Sequence, residues 1–175
     1  MKKIYIILTY TGTILSKIVK VYTRKEYSHV SISLDEDLTK MYSFGRLYPY
    51  NPFLGGFVHE GLDRGTFKRF KKTKTKIYSL EISEEKYDKI EEIIQSVQSK
   101  KNAYKFNLIG LLAISLGVKI KREKCFYCAE FVKYLLEQSE VVELPDMVKP
   151  EDFEKVNGLS EVYRGILKEY NTNNN

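Results

Sequence analysis

The feature that most constrains the fold is a short stretch of strict alternation, SHVSISL, at residues 28–34. Apolar residues at 30, 32 and 34 alternate with histidine and serine at 29, 31 and 33. Because the side chains of a strand point alternately to its two faces, this pattern predicts a strand with one face in the core and His29 on the other. The turn sequence DEDLTK then leads to a second strand at residues 41–46, so the two predict an antiparallel hairpin.

Most of the remaining chain has the periodicity of regular elements. Apolar runs rich in β-branched and aromatic residues predict strands, and apolar positions that recur at three and four predict helices. The predicted strands lie at residues 4–8, 28–34, 41–46, 66–70, 76–82 and 159–170, and the predicted helices at residues 11–22, 84–97, 106–118 and 128–136. Residues 49–65 hold two of the four prolines and four of the ten glycines, and they predict a loop. We therefore predict an α+β fold, with residues 1–170 as a single domain and 171–175 as a disordered tail.

Composition and charge narrow the class of protein. Hydrophobic residues make up 43% of the 175 residues and charged residues 30%, a balance typical of soluble globular domains. Six basic residues lie at 67–76, but no nucleic-acid motif accompanies them, so we interpret this run as a solvated surface and predict no nucleic-acid partner. The apolar segment 106–118 is shorter than the roughly 20 residues that cross a bilayer, so it predicts a buried helix and no integral membrane segment. The short apolar start, without a cleavage site, predicts a cytoplasmic protein. Nothing in the sequence indicates the oligomeric state.

The second of two closely spaced cysteines is the candidate nucleophile. Cys128 begins a helical run and shares one face with four apolar residues, Phe131, Val132, Leu135 and Leu136. A helix N-terminus stabilises a thiolate, the reactive form of cysteine, and its unpaired N–H groups can hold an oxyanion. His29 could accept the thiol proton and return it to a leaving group. The pattern alone leaves open that Cys128 is an ordinary core residue and His29 a surface residue.

Two other uses of the thiols also stay open. Cys125 and Cys128 form a C-x-x-C pair, which in a cytoplasmic protein can be a redox couple, although here the second cysteine rather than the first begins the helix. A zinc site would need Cys125, Cys128, His29 and His59 together, because the chain has no other cysteine or histidine. We predict no metal and no cofactor.

The chain resembles the circularly permuted branch of the NlpC/P60 papain-like superfamily. The resemblance lies in five segments which occur in the order TGTILSKIV, YSHVSISLD, MYSFGR, GGFVHEG and FYCAEFVKYLL. They cover most of the chain, and SHVSI and CAEFV are the specific parts. In permuted members the histidine strand precedes the cysteine helix, as His29 precedes Cys128 here.

This resemblance implies a papain-like fold, in which an antiparallel sheet packs against the cysteine-bearing helix. It implies Cys128 as the nucleophile, His29 as the general base, and a third polar residue on the next strand that orients the histidine. Ser43 stands there, in place of the His, Asn, Gln or Glu more common in the family. Members with assigned activity cleave amide bonds in cell-wall peptides, or transfer and hydrolyse acyl groups.

We therefore expect a cysteine hydrolase or acyltransferase that acts on a small-molecule, peptide or acyl substrate. The alternative is a catalytically inactive binding protein of the same fold, which Ser43 in the orienting position favours. Strand ends and long loops present functional groups, so we predict substrate contacts there. The predicted substrate-binding residues are Tyr10, Thr11, Tyr48, Phe53 and Phe57. His59 lies in the same predicted loop without a fixed strand partner, so we do not predict it as the base.

Overall fold

An antiparallel sheet of six strands forms the centre of the molecule. The computed structural model describes residues 1–170 except 14, 15, 18, 19, 22–24, 49 and 50, and it leaves out the side chains of residues 51–53 and 115. The strands are β1 (Lys2–Tyr10), β2 (His29–Ser33), β3 (Met41–Tyr48), β4 (Asn51–Glu60), β5 (Lys74–Ile82), β6 (Lys105–Phe106), β7 (Cys125–Phe126) and β8 (Ser160–Ile166). The central sheet has the order β4-β3-β2-β1-β5-β8, and β6 pairs with β7 in a separate parallel ribbon.

Helices cover this sheet and complete the α+β fold that the sequence predicts. The helices that lie wholly within the described residues are α1 (Gly65–Arg69), α2 (Glu84–Ser99), α3 (Leu108–Ser115) and α4 (Cys128–Gln138). Short 3-10 helices occupy Lys101–Ala103, Pro150–Lys155 and Leu167–Glu169. Within the predicted helix at 11–22, residues 16, 17, 20 and 21 are helical, and residues 14, 15, 18, 19 and 22 lie outside the described part of the chain.

Apolar side chains cover both faces of the sheet. On β1, Ile6 and Leu8 belong to the cluster that α2 and α4 complete, whereas Tyr5 and Ile7 belong to a second cluster with Phe67 of α1. A strand that is buried on both faces has no need of polar alternation, which explains the nearly continuous apolar sequence of β1. Burial of each large aliphatic side chain contributes roughly 1.5–3 kcal/mol.

The two long helices bury the stripes that the sequence predicts. The Ser83 hydroxyl caps α2 by accepting a hydrogen bond from the Lys86 N–H at 3.3 Å. The buried side chains of α2 are Tyr87, Ile90, Ile94 and Val97. Helix α4 buries Cys128 and the apolar stripe that follows it, and it packs against β2 and β3. The start of α4 therefore lies against the part of the sheet that carries His29.

The prediction of a loop at residues 49–65 is wrong for most of these residues. Residues 51–60 form β4, which pairs with β3 from Met41↔Glu60 to Tyr48↔Asn51. The glycines that indicated a loop instead allow other chain segments to approach the strand. A Cβ atom on Gly55 would lie 2.6 Å from Phe106 Cβ and 2.7 Å from the carbonyl oxygen of Gly45.

Two further elements differ from their predictions. Residues 66–70, predicted as a strand, lie largely in α1, which begins at Gly65 with a φ of +50° and carries Lys68 and Arg69 in its last turn, where cations favour the helix dipole. The buried helix predicted at residues 106–118 is the shorter α3, and it leaves Ile109 and Leu112 exposed. Among the described residues, no helix has both the length and the apolar character needed to cross a membrane.

The close approach at Gly55 generates a stability prediction. Gly55→Ala should lower the free energy of unfolding by about 1–3 kcal/mol, because the added methyl group overlaps Phe106 and backbone that cannot move freely. Urea denaturation followed by circular dichroism measures this change. Gly56→Ala is the matched control, since the nearest atom to its Cβ is 3.7 Å away, and its stability should be unchanged or slightly higher. Equal losses in the two variants would contradict the observed packing of β4.

Candidate active site

The candidate active site lies where β2 and β3 separate. Among the described residues, these strands pair at Ile32↔Tyr42 and Ser33↔Met41, whereas the pairing of β2 with β1 continues to His29. The first part of β2 therefore has room on the side away from β1. Helix α4 begins with Cys128 and packs against both separating strands.

A partly open cavity occupies this space, with an empty volume of about 550 Å³ that includes solvent at its mouth. Cys128 and His29 both line it, so the structure brings together the two residues predicted as nucleophile and base. Cys128 is 4% exposed and the His29 side chain 19% exposed. The surrounding wall includes Thr11, Arg46, Phe67 and Phe106.

A buried carboxylate holds the histidine. The His29 Nε2 atom lies 3.0 Å from Oε1 of Glu60, the last residue of β4. The Ser31 hydroxyl donates to the other carboxylate oxygen and lies 3.3 Å from the same imidazole nitrogen. The Glu60 carboxylate is thus bonded through both oxygens. This arrangement fixes the plane and the position of the imidazole ring.

The charges of His29 and Glu60 stabilise each other. Without its partner, burial would favour the neutral form of each side chain. Burial acts to lower the pKa of His29, but the charges of Glu60 and Cys128, with hydrogen bonds to both, raise it to about 10. Burial likewise acts to raise the pKa of Glu60, but the charge of His29 and hydrogen bonds from His29 and Ser31 hold it below its usual value. At neutral pH the site therefore contains an imidazolium and a carboxylate.

The sulfur lies at the start of α4, beside this pair. Cys128 is close enough to His29 to contribute to its pKa through charge and through a hydrogen bond. The first helical hydrogen bond of α4 runs from the Phe131 N–H to the Tyr127 carbonyl at 3.1 Å, so the N–H groups of residues 128–130 precede the regular ladder. Glu130 accepts a hydrogen bond from the Tyr127 N–H at 3.1 Å and so fixes the entry into the helix.

The orienting group is where the sequence prediction and the geometry differ. Ser43, predicted for this role, is fully buried on β3, and its hydroxyl has no hydrogen-bond partner among the described residues, although it lies near enough to Glu60 to help lower the pKa of that carboxyl group. Glu60 is the residue that contacts His29. The sequence GGFVHEG contained the signal for this residue. If the segment is interpreted as a strand that pairs with β3, Glu60 lies opposite Met41, on the strand next to the hairpin.

Of the predicted substrate-binding residues, the structure places Thr11 in the cavity wall. Phe57 instead packs in the core, with its ring centroid 5.8 Å from that of Phe131 on α4. The Lys20 ammonium group lies 4.5 Å from the ring centroid of Tyr10, and Tyr48, the last residue of β3, is 60% exposed. The side chain of Phe53 lies outside the described part of the structure.

The second histidine has a structural environment of its own. His59 lies on β4 rather than in a loop, and its Nε2–H donates to the Thr39 carbonyl at 2.7 Å. Its ring stacks on Tyr42 with centroids 4.8 Å apart. His59 is not among the residues that line the cavity of Cys128.

The second cysteine is also separate from the cavity. Both thiols are free, and Cys125 lies on β7, in a surface depression that Lys121 and Tyr134 also line. Across the described residues, no group of three or more histidine, cysteine, aspartate or glutamate side chains is arranged to hold a metal ion.

Neither of two comparisons with known proteins identifies a family for this chain, so a proposed function must rest on the geometry of the site. A scan against known protein families found no match, and a search of curated proteins found no similar sequence.

The raised pKa of His29 generates a prediction about pH and stability. A group that binds its proton more tightly when folded stabilises the protein fully below its unfolded pKa of 6.5 and loses that contribution as pH rises toward about 10. Between pH 6.5 and about pH 9, the free energy of unfolding should fall by about 3 kcal/mol from this group. Glu60→Gln should reduce this fall, because the pKa of His29 drops when the carboxylate charge is removed.

Urea denaturation at a series of pH values, in wild type and Glu60→Gln, measures this difference. Glu123→Gln removes an exposed carboxylate and serves as the control, with the same pH dependence as wild type. A pH dependence shared by wild type and Glu60→Gln would contradict the ion pair.

Proposed function

We propose that the protein is a papain-like cysteine hydrolase or acyltransferase, with Cys128 as the nucleophile and His29 as the acid and base. The observation that carries this proposal is the position of His29, which lies between a buried carboxylate and a sulfur at the start of a buried helix. The antiparallel sheet and the cysteine helix packed on β2 and β3 support the permuted NlpC/P60 resemblance.

The resting site favours attack by sulfur. With a pKa of about 10, His29 is protonated at neutral pH, and its positive charge stabilises negative charge on the adjacent sulfur. The thiolate attacks the carbonyl carbon of an amide or ester, forming an S–C bond and an oxyanion. The N–H groups at the start of α4 are the donors for that oxyanion. The tetrahedral intermediate then collapses as the C–N or C–O bond breaks.

The change of charge on the sulfur makes His29 an effective acid. When the S–C bond forms, the sulfur loses its negative charge and no longer raises the pKa of His29, so the imidazolium gives its proton to the nitrogen or oxygen of the leaving group as the C–N or C–O bond breaks. The neutral imidazole then takes a proton from water or from an acceptor alcohol or amine, which attacks the thioester. Breaking of the S–C bond releases the acid or the transferred acyl product and restores the thiolate.

Glu60 positions His29 through both steps and remains ionised. Its hydrogen bond to Nε2 leaves Nδ1 as the nitrogen that exchanges a proton with the sulfur side of the site. The alternative, an inactive binding protein, was favoured because Ser43 would orient His29 only weakly. A charged carboxylate against His29 favours the enzyme instead.

A thiol-labelling experiment tests this proposal without a known substrate. Iodoacetamide should alkylate Cys128 faster than Cys125, although Cys128 is the more buried of the two thiols. His29→Ala should slow labelling of Cys128 at least tenfold, because the charge that stabilises the thiolate is lost. Mass spectrometry of the two cysteine peptides over time gives both rates.

The other histidine provides the matched control. His59→Ala should change the Cys128 rate by less than about threefold, or under roughly 1 kcal/mol, because His59 does not line the cavity. Slow labelling of Cys128 that matches Cys125 in wild type would remove the enzyme proposal. A larger effect of His59→Ala than of His29→Ala would mean that the base is misassigned.

A further inference from the structure

We propose that the protein binds the surface of an anionic membrane through an apolar segment, residues 109–120, and through the basic residues that flank it. The segment comprises most of α3 and the turn that follows. The inference goes beyond the proposed function, because it concerns where the protein acts and does not depend on the chemistry of Cys128.

Exposed apolar side chains are concentrated in this apolar segment. Of the eleven large apolar side chains that are exposed in the described part of the chain, five lie here, each between 36% and 73% exposed: Ile109, Leu112, Leu116, Val118 and Ile120. Single exposed apolar residues are normal on a protein surface, whereas a cluster of them marks an interaction site. The apolar segment is therefore a candidate docking surface.

Helix α3 faces solvent on one side and the cavity of Cys128 on the other. Ile109, Leu112 and Leu116 follow one another at spacings of three and four, so they share the outer face of the helix. Leu111 points away from that face and lines the cavity. A helix with its side chains is roughly 10–12 Å across, so a membrane bound at the outer face lies about that far from the cavity wall.

The backbone folds the rest of the apolar segment back along α3. Gly117, with a φ of +72°, reverses the chain at the end of the helix, and the Val118 N–H donates to the Ala113 carbonyl at 3.0 Å. The side-chain amide of Asn107, which precedes α3, then donates to the Ile120 carbonyl at 3.0 Å. The exposed residues before and after the reversal thus belong to one compact hairpin.

Basic residues flank the apolar segment on both sides. Residues 100–105 and 119–124 carry seven lysines and arginines and a single acid, Glu123, and all eight side chains are exposed. The two stretches meet at the β6–β7 ribbon, where the Lys105 N–H donates to the Lys124 carbonyl at 2.9 Å. Cations from both ends of the segment therefore lie at one place on the surface.

The acidic residues nearby do not cancel this charge. Glu130, Glu137 and Asp146 lie in the depression beside residues 119–124. Glu137 and Asp146 pair with lysines of the same depression, at 3.5 and 2.9 Å, and Glu130 accepts the hydrogen bond at the entry into α4. Among the described residues, four cations of the flanking stretches form no ion pair and have no further partner: Lys105, Lys121, Arg122 and Lys124.

Aliphatic side chains together with cations fit an anionic lipid surface. The apolar residues enter the boundary between headgroups and acyl chains, and the lysines and arginines lie against the negative headgroups. A second copy of the chain, docked through the same surface, would bring the same cations against each other. A nucleic acid would attract the cations but leave the aliphatic side chains in water. The combination therefore favours a membrane over either alternative.

Sedimentation of the full chain with lipid vesicles tests the proposal. We expect binding to vesicles of equal parts phosphatidylcholine and phosphatidylserine, and at least about tenfold weaker binding to phosphatidylcholine alone, because several cations act on the anionic surface together. Added salt should weaken the binding, since it screens these charges. No binding to either kind of vesicle overturns the inference.

Leu112→Gln combined with Leu116→Gln tests the apolar part. Both leucines are exposed, so the fold should be retained, and binding to the anionic vesicles should fall at least about tenfold. Leu47→Gln is the matched control, because Leu47 is also exposed but lies on β3, and its binding should stay within about twofold of wild type. Equal losses in the two proteins would mean that the apolar segment is not the docking surface.

Lys121→Gln combined with Lys124→Gln tests the charge. Binding to the anionic vesicles should fall at least about fivefold, because two cations are removed from the surface. Lys71→Gln with Lys72→Gln removes the same charge from an exposed turn elsewhere and should lower binding less than about twofold. Equal losses would indicate attraction by net charge alone and overturn the assignment of this surface.

Sedimentation velocity without vesicles tests the competing occupant. A dimer that the two leucine substitutions dissolve, in a protein that does not bind vesicles, would make the apolar segment an interface between copies and overturn the inference. Iodoacetamide labelling of Cys128 without vesicles reports on the proposed function separately, so the failure of one proposal leaves the other open to its own test.

Discussion

The ion pair between His29 and Glu60 is the interaction on which the account of the site depends. Two ionisable groups are held 3.0 Å apart with little exposure to solvent, and removing either partner would leave the other as a buried uncompensated charge. Transfer of such a pair from water is costly, and the Ser31 hydroxyl offsets part of that cost by bonding to the second carboxylate oxygen. The pair maintains a positive charge beside Cys128, which is what nucleophilic sulfur chemistry requires at neutral pH.

The fold explains how these groups come together. β2 pairs with β3 over a short length, and the separation of the strands leaves room for a cavity at the start of α4. The carboxylate comes from the strand beyond β3, whose glycines admit the neighbouring backbone and Phe106. The apolar stripe of α4 fixes the helix on the sheet, and therefore fixes the sulfur relative to the imidazole. The sulfur, the imidazole and the carboxylate thus each depend on an element that is stabilised mainly by apolar packing.

The sequence predicted the elements whose pattern reflects local burial. The alternation around His29, the apolar periodicity of α2 and the apolar stripe after Cys128 each record one buried face, and the structure has all three. Residues 49–65 misled because glycine and proline usually mark loops, whereas in β4 pairing with β3 and close packing favour a strand. That error hid Glu60, and it also assigned Phe57 to the substrate wall when it packs in the core.

The most direct test of the account is an NMR titration of His29 in wild type and in Cys128→Ser. The account predicts that the wild-type imidazole remains protonated well above pH 7, with a pKa near 10, and that Cys128→Ser lowers this pKa because the serine hydroxyl carries no negative charge. A pKa of His29 near 6.5 that does not change in Cys128→Ser would show that the sulfur and the imidazole do not interact, and would contradict the account.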